Sequence, residues 1–215
     1  MKISIWILSG FLVAGITAIL NNAGIQPLSW IIWLGFALLY AYKNKDFSGI
    51  GLMQKNLKSA IMAGIAAGVL YGLMRGLILV YVPNLNIVFE SGLTTIMDGY
   101  AAEKFPLVNI SVSKFQFMSA FIIMSFIAVA CWEIFYRGFL FMRISKYLYW
   151  PIAALIVAFV NGLGHFDVGV TGFYHSLVLF TVAGALMYRY KNIAAPFLFH
   201  YIHFFITFYT VLFLK

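Results

Sequence analysis

The sequence predicts an all-α fold, a polytopic transmembrane helical bundle of about seven spans. Three observations lead there. Hydrophobic residues make up 64% of the 215 positions and charged residues only 9%, a ratio that a water-soluble domain cannot hide, because most of its surface must be wetted by polar groups. Uncharged stretches long enough to cross a bilayer recur along the whole chain. Most lysines and arginines gather between those stretches rather than inside them.

The stretches run near residues 3–20, 26–42, 59–82, 115–142, 148–166, 172–188 and 193–213. The first follows Lys2 and resembles a signal sequence in length. No small-x-small cleavage site follows it and the second begins at once, so it is expected to remain as a helix. The third carries Ala60, Gly64, Gly68, Gly72 and Gly76, a small residue every fourth position, which lays a shallow groove where another helix can come close. Arg75, near the far end of that span, is expected to snorkel to the headgroups in preference to pairing with an acid of the following loop. The segment from Asn86 to Phe105 is too polar to span and is expected to form a short helix at the surface. A tight turn near Tyr149, with Pro151 just beyond, makes the fourth and fifth spans antiparallel neighbours, and a turn near Lys191 does the same for the sixth and seventh.

Lys43, Lys45, Lys55 and Lys58 follow the second span, Arg143 and Lys146 the fourth, Arg189 and Lys191 the sixth. Short loops on the cytoplasmic side hold the positive excess, so these three connections are expected inside, with a cytoplasmic N-terminus and an extracytoplasmic C-terminus. The setting expected is the plasma membrane of a prokaryote. The net charge of +8 does not indicate a nucleic-acid partner, because the basic residues sit at helix ends beside membrane rather than along one exposed face. Cys131 is the only cysteine, which excludes an internal disulfide and a cysteine metal cluster. No linker, repeat or low-complexity segment divides the chain. Residues 1–113 hold the N-terminal helices and an extracytoplasmic loop, and residues 114–215 a core with the polar site.

Ionisable groups inside spans are costly, so each is a functional candidate. They are Glu133, Arg137, His165, His175, His200 and His203. Glu133 and Arg137 are four apart on one helix face and can pair, with Tyr136 on the same side. Counting about 16 residues back and forward from the Tyr149 turn reaches Glu133 and His165, which places them at similar depth. His200 and His203 share a face of the last span. A carboxylate and imidazoles converging at one depth can activate water for attack on a peptide bond and stabilise the oxyanion. The same set of His165, His200, His203 and Glu133 also suits a divalent ion such as zinc, although no cofactor is required. An inert ion pair with histidines that merely bond to their neighbours stays open beside both.

The run Glu133-Ile-Phe-Tyr-Arg137-Gly138-Phe-Leu140 resembles the Glu-Glu-x-x-x-Arg-Gly-x-Leu motif of the CAAX protease and bacteriocin-processing family, intramembrane endopeptidases related to the type II CAAX prenyl endopeptidase. His165 follows at the end of the next span. Gly184-Ala-Leu-Met-Tyr-Arg189 then leads to Ile193-Ala-Ala-Pro196-Phe-Leu-Phe-His200, which resembles the family's Pro-x-x-x-His segment. The resemblance covers roughly residues 115–210 and implies a family-like helical core. It implies that Glu133 is the second Glu of the pair and Arg137 the Arg, both organising the site, and that His165 and His200 are the two His that, with the first Glu of the pair, hold the attacking water and the oxyanion. Three positions depart from the pattern: Trp132 stands for the first Glu, Asn161 for a Phe, and Phe204 for an Asn or Asp. His203 could replace the donor lost at Phe204, and Asn161, one turn before His165, could orient that ring.

The resemblance thus implies an endopeptidase acting within or near the membrane on a peptide or lipid-modified protein, with Glu133, His165, His200 and Arg137 as catalytic residues and His203, Asn161 and Tyr136 in support. The alternative is a catalytically silent relative that binds a membrane protein, peptide or lipid as a regulator or immunity-type factor. A transporter using the His and Glu set as a relay is a third reading.

Overall fold

The computed structural model describes residues 5–52, 55–82, 104–105 and 110–214. Among them, seven long helices follow one another: α1 (Ile5–Asn22), α2 (Gln26–Asn44), α3 (Leu57–Tyr81), α4 (Lys114–Glu133, continuing to Ile144), α5 (Trp150–Gly162), α6 (Gly169–Tyr190) and α7 (Ala194–Leu214). The one departure from all-α architecture among these residues is a two-residue antiparallel ribbon, Lys104–Phe105 with Ile110–Ser111. The surface helix expected over Asn86 to Phe105 falls almost wholly outside the described residues.

The helix starts follow from local chemistry. Pro27 and Pro151 occupy the first turns of α2 and α5, where a missing N–H costs nothing. Ser113 and Gln116 close a reciprocal capping box at the start of α4. Gly24, at φ 77°, supplies the left-handed residue that turns α1 into α2. Ile5–Asn22, Leu57–Tyr81, Lys114–Ile144 and Ala194–Leu214 are each long and apolar enough to cross a membrane, while Trp150–His165 is apolar but shorter. The chain is an integral membrane protein on this architecture.

The closest helix pair is α3 with α7, and they run parallel. A Cβ placed on Gly64 would meet the Ala195 carbonyl oxygen at 2.6 Å, one on Gly72 the Ile206 Cβ at 2.7 Å, and one on Gly76 the Thr210 Cβ at 2.6 Å. The small-residue stripe therefore brings backbone against backbone, and Thr207 Oγ1 donates to the Gly72 carbonyl at 3.1 Å. Parallel α3 and α7 require an odd number of antiparallel spans between them, which α4, α5 and α6 supply.

The three basic connections meet at one end of the bundle. Arg143 Nη1 donates to Tyr40 Oη at 2.7 Å and to Asp46 Oδ2 at 2.8 Å, and its Nη2 donates to the Gly49 carbonyl at 2.6 Å. The Ile193 amide donates to the Gly51 carbonyl at 3.1 Å, and Asn192 Nδ2 to the Lys55 carbonyl at 3.1 Å. The connections after α2, α4 and α6 are thus cross-linked.

An aromatic core joins α1, α2 and α4. Trp6, Phe36 and Tyr40 pack edge to face, and Phe36 and Tyr40 continue onto Phe139 at 5.2 and 4.9 Å between ring centroids. Arg75 differs from expectation. Its side chain is completely buried in the bundle rather than snorkelling outward, because α3 turns that face toward α6 and α7.

Candidate active site

The site lies where α4 changes its winding. The helix is regular α up to Glu133 and then adopts i→i+5 hydrogen bonding over Ile134–Phe141. This widened turn rotates the following side chains inward, so that Phe135 through Phe141 are all buried. Gly138, next to Arg137, has a structural duty, since a Cβ there would lie 2.5 Å from the Ile50 carbonyl oxygen.

Glu133 is fully buried and bridges two helices. Its Oε1 lies 2.7 Å from His200 Nδ1 on α7. Its Oε2 lies 3.4 Å from Arg137 Nε, close enough for ionic attraction, although that contact makes no hydrogen bond. The Arg137 guanidinium is also buried, and its carbon stands 3.4 Å from the centroid of the Phe180 ring on α6. A buried ion pair balances charge at a desolvation cost, and removing one partner leaves the other uncompensated.

Trp132 fills the position beside Glu133. Its indole stacks on His165 at 4.8 Å and on Trp33 at 5.4 Å, and approaches His200 at 5.6 Å. Its Nε1 donates a short hydrogen bond to Asn161 Oδ1. Asn161 is therefore engaged with Trp132 rather than orienting His165, and its Nδ2 has no partner. His165 lies in the 3-10 turn after α5 with φ −113° and ψ 15°, outside helical geometry. Its stacking on Trp132 puts it at the depth of Glu133, as the count from the Tyr149 turn predicts.

Glu133, Arg137, His200 and, through the indole, His165 form one cluster. Tyr136 adjoins it, stacked on Phe180 at 6.2 Å and edge-on to Trp33 at 5.4 Å. His203 turns elsewhere: its Nδ1 lies 3.2 Å from the Phe199 carbonyl of its own helix, and its ring, 5.5 Å from His200, faces Tyr71 and His175. One turn of α7 separates the two histidines, but the i−4 carbonyl holds His203 away from the carboxylate. Phe204 packs toward Phe121 of α4 at 5.5 Å. Among the described residues no three His, Cys, Asp or Glu side chains are grouped to hold a metal ion. Glu133 and His200 are bonded directly to each other, and the ring of His203 faces away.

Two participants carry no signal in the sequence. Phe180 is one apolar residue among many, and only the packing of α6 reveals it beneath Arg137. Trp33 is equally anonymous, yet it forms the α2 wall of the site. Tyr71, adjoining the glycine stripe one turn before Arg75, had a legible position but no chemical motif.

Residues 114–206 match the family model for the Type II CAAX prenyl endopeptidase Rce1-like group. No curated protein and no solved structure matches the chain. The match spans α4 to α7, the helices that carry Glu133, Arg137, His165 and His200, and over this segment the chain is similar to the Rce1-like type II CAAX prenyl endopeptidases.

Proposed function

We propose that the protein is a membrane-embedded, CAAX-protease-like endopeptidase that cuts a peptide or lipid-modified protein within or near the bilayer. The observation that carries this reading is the 2.7 Å contact between Glu133 Oε1 and His200 Nδ1. A carboxylate that accepts the Nδ1 proton leaves Nε2 as the basic nitrogen, which is the tautomer a general base needs. His200 Nε2 then takes a proton from water, and the hydroxide attacks the scissile carbonyl. His165 donates to the resulting oxyanion. Collapse breaks the C–N bond as the His200 imidazolium returns the proton to the leaving amine. Arg137 stays beside Glu133 as its counter-charge throughout, without a hydrogen bond between them.

We place the basic end of the bundle, with the N-terminus, on the cytoplasmic side of a prokaryotic plasma membrane, and the C-terminus outside. The mutual bonding of the connections that hold Lys43, Lys45, Lys55, Arg143, Arg189 and Lys191 supports that placement. The partners are membrane lipid and a peptide or membrane-associated protein, not nucleic acid.

A second reading has its own observation. Trp132 occupies the position where the resemblance expects the first carboxylate, stacked on His165 and bonded to Asn161. A silent relative that uses the bundle to bind a membrane partner would keep this packing. Proteoliposomes of the full chain, incubated with peptides bearing and lacking a prenyl cysteine and read by mass spectrometry, separate the two. Cleavage by the wild type that is lost in Glu133→Gln, His200→Gln and His165→Ala at unchanged protein level supports the endopeptidase. Cleavage that persists in all three, or is absent from the wild type across a broad peptide set, overturns it.

A further inference from the structure

A second polar cluster lies beyond His200. Tyr71 of α3, His175 of α6 and His203 of α7 face one another, with ring centroids 5.4 Å apart for Tyr71 and His203, 6.4 Å for Tyr71 and His175, and 6.0 Å for His175 and His203. All three side chains are more than nine-tenths buried, at 8%, 5% and 0% exposure. Each contributes a buried polar atom with no hydrogen-bond partner among the described residues: Tyr71 Oη, His175 Nδ1 and His203 Nε2. Native interiors rarely leave one such atom unsatisfied, and three around one triangle indicate a group that binds there.

The chemistry of that group follows from its hosts. A phenol donates and His175 Nδ1 can carry the proton of a neutral ring, while His203, whose Nδ1 donates to the Phe199 carbonyl, offers Nε2 as a third donor when its ring takes up a second proton together with an anion. The ionisable groups acting on His175 and His203 among the described residues are Arg75, His165, His200 and each other, with no carboxylate among them. Arg75 adds charge whatever bonds it makes itself. Donors in a field of positive charge suit an anionic oxygen and disfavour a cation. Depth narrows the choice. His203 is nine residues from the start of the 21-residue α7, about 14 Å along a helix rising 1.5 Å per residue. That is mid-bundle, below the level at which a lipid phosphate sits.

We propose that Tyr71, His175 and His203 form a carboxylate-binding site in the bundle interior, adjacent to but distinct from the Glu133 site. Its ligand is a small free carboxylate or the terminal carboxylate of a peptide. The proposal holds whether or not the Glu133 site is catalytic.

The test uses the full chain, 15N-labelled at histidine, in nanodiscs of phosphatidylcholine, with resonances assigned by His175→Gln and His203→Gln. Acetate, a short apolar peptide with a free C-terminus and the same peptide as its amide are titrated separately. The expected result is a saturable shift of the His175 and His203 signals with acetate or the free-acid peptide and none with the amide. A response to acetate alone identifies a small acid, and one to the peptide alone or more tightly identifies a peptide terminus. Tyr71→Phe, which keeps the ring and removes one donor, weakens the response about tenfold. Equal shifts with acid and amide overturn the proposal, as do shifts produced only by phosphatidate in the bilayer. Signals that no carboxylate moves, with exchange to bound water alone, overturn it as well.

Discussion

Replacing Glu133 by Gln keeps the shape of the side chain and removes its charge, which exposes how the buried site is balanced. Arg137 is fully buried, and its Nε, Nη1 and Nη2 have no hydrogen-bond partner among the described residues. Its compensation is the Glu133 carboxylate 3.4 Å away and the Phe180 ring 3.4 Å below. Without the carboxylate, the cation–π contact contributes about 2 kcal/mol at best in a desolvated setting. Breaking a buried ion pair from one side costs about 3–5 kcal/mol, and the fall in stability of Glu133→Gln should lie in that range. The double variant Glu133→Gln/Arg137→Met removes both charges and should recover to within about 1–2 kcal/mol of the wild type. Cys131 offers a site-specific assay. It is buried two residues before Glu133, so the rate at which a maleimide labels it in detergent or nanodiscs reports opening of α4. The prediction is labelling at least a hundredfold faster in the single variant, equivalent to about 2.7 kcal/mol or more, and near wild-type in the double. A single variant that labels no faster than the double would refute the claim that Glu133 is the counter-ion on which Arg137 depends.

Four further outcomes follow from other positions. Trp132→Glu places a second carboxylate beside His165 and Asn161, and should create or raise peptidase activity by about tenfold or more, as an added general base does. Unchanged cleavage in a sensitive peptide assay, with Cys131 still protected, would count against a nearly assembled site. Gly72→Ala puts a Cβ 2.7 Å from Ile206 Cβ and 2.9 Å from the His203 carbonyl oxygen, and thermal unfolding should show a loss of about 1–3 kcal/mol. Gly15→Ala, with nothing within 4 Å of the added carbon, should be neutral or stabilising by up to about 1 kcal/mol. Arg143→Gln removes the donors that hold Tyr40, Asp46 and Gly49, so amide exchange over Ser48–Ile50 should accelerate while the α3–α7 core stays protected.

Much of the helix framework was legible because lipid imposes a simple rule: uncharged runs of sufficient length become helices. The seven expected stretches coincide with the seven helices to within a few residues at most ends. The glycine stripe on α3 was legible for the same reason, since close approach needs small residues at a fixed period. The i→i+5 winding of Ile134–Phe141 was not, because it answers to the demand for seven consecutive buried side chains and leaves no compositional mark. Arg75 was misread because snorkelling depends on which way α3 faces, and only the docking of α6 and α7 sets that. Helix counting put Glu133 and His165 at one depth and Glu133 with Arg137 on one face. It could not foresee that the Phe199 carbonyl would hold His203, or that Asn161 would be claimed by Trp132 instead of His165. Those partners lie within a few ångströms in space, and their competition is decided by ring orientation.

In the proposed mechanism Glu133 fixes His200 with its proton on Nδ1 and its base on Nε2. The 15N spectrum of His200 in the full chain, compared between wild type and Glu133→Gln, tests it directly. The expected spectrum shows a protonated Nδ1 in a strong hydrogen bond and an unprotonated Nε2 in the wild type, with that bond weakened in the variant. A wild-type His200 protonated on Nε2, or a spectrum indifferent to Glu133→Gln, would contradict it.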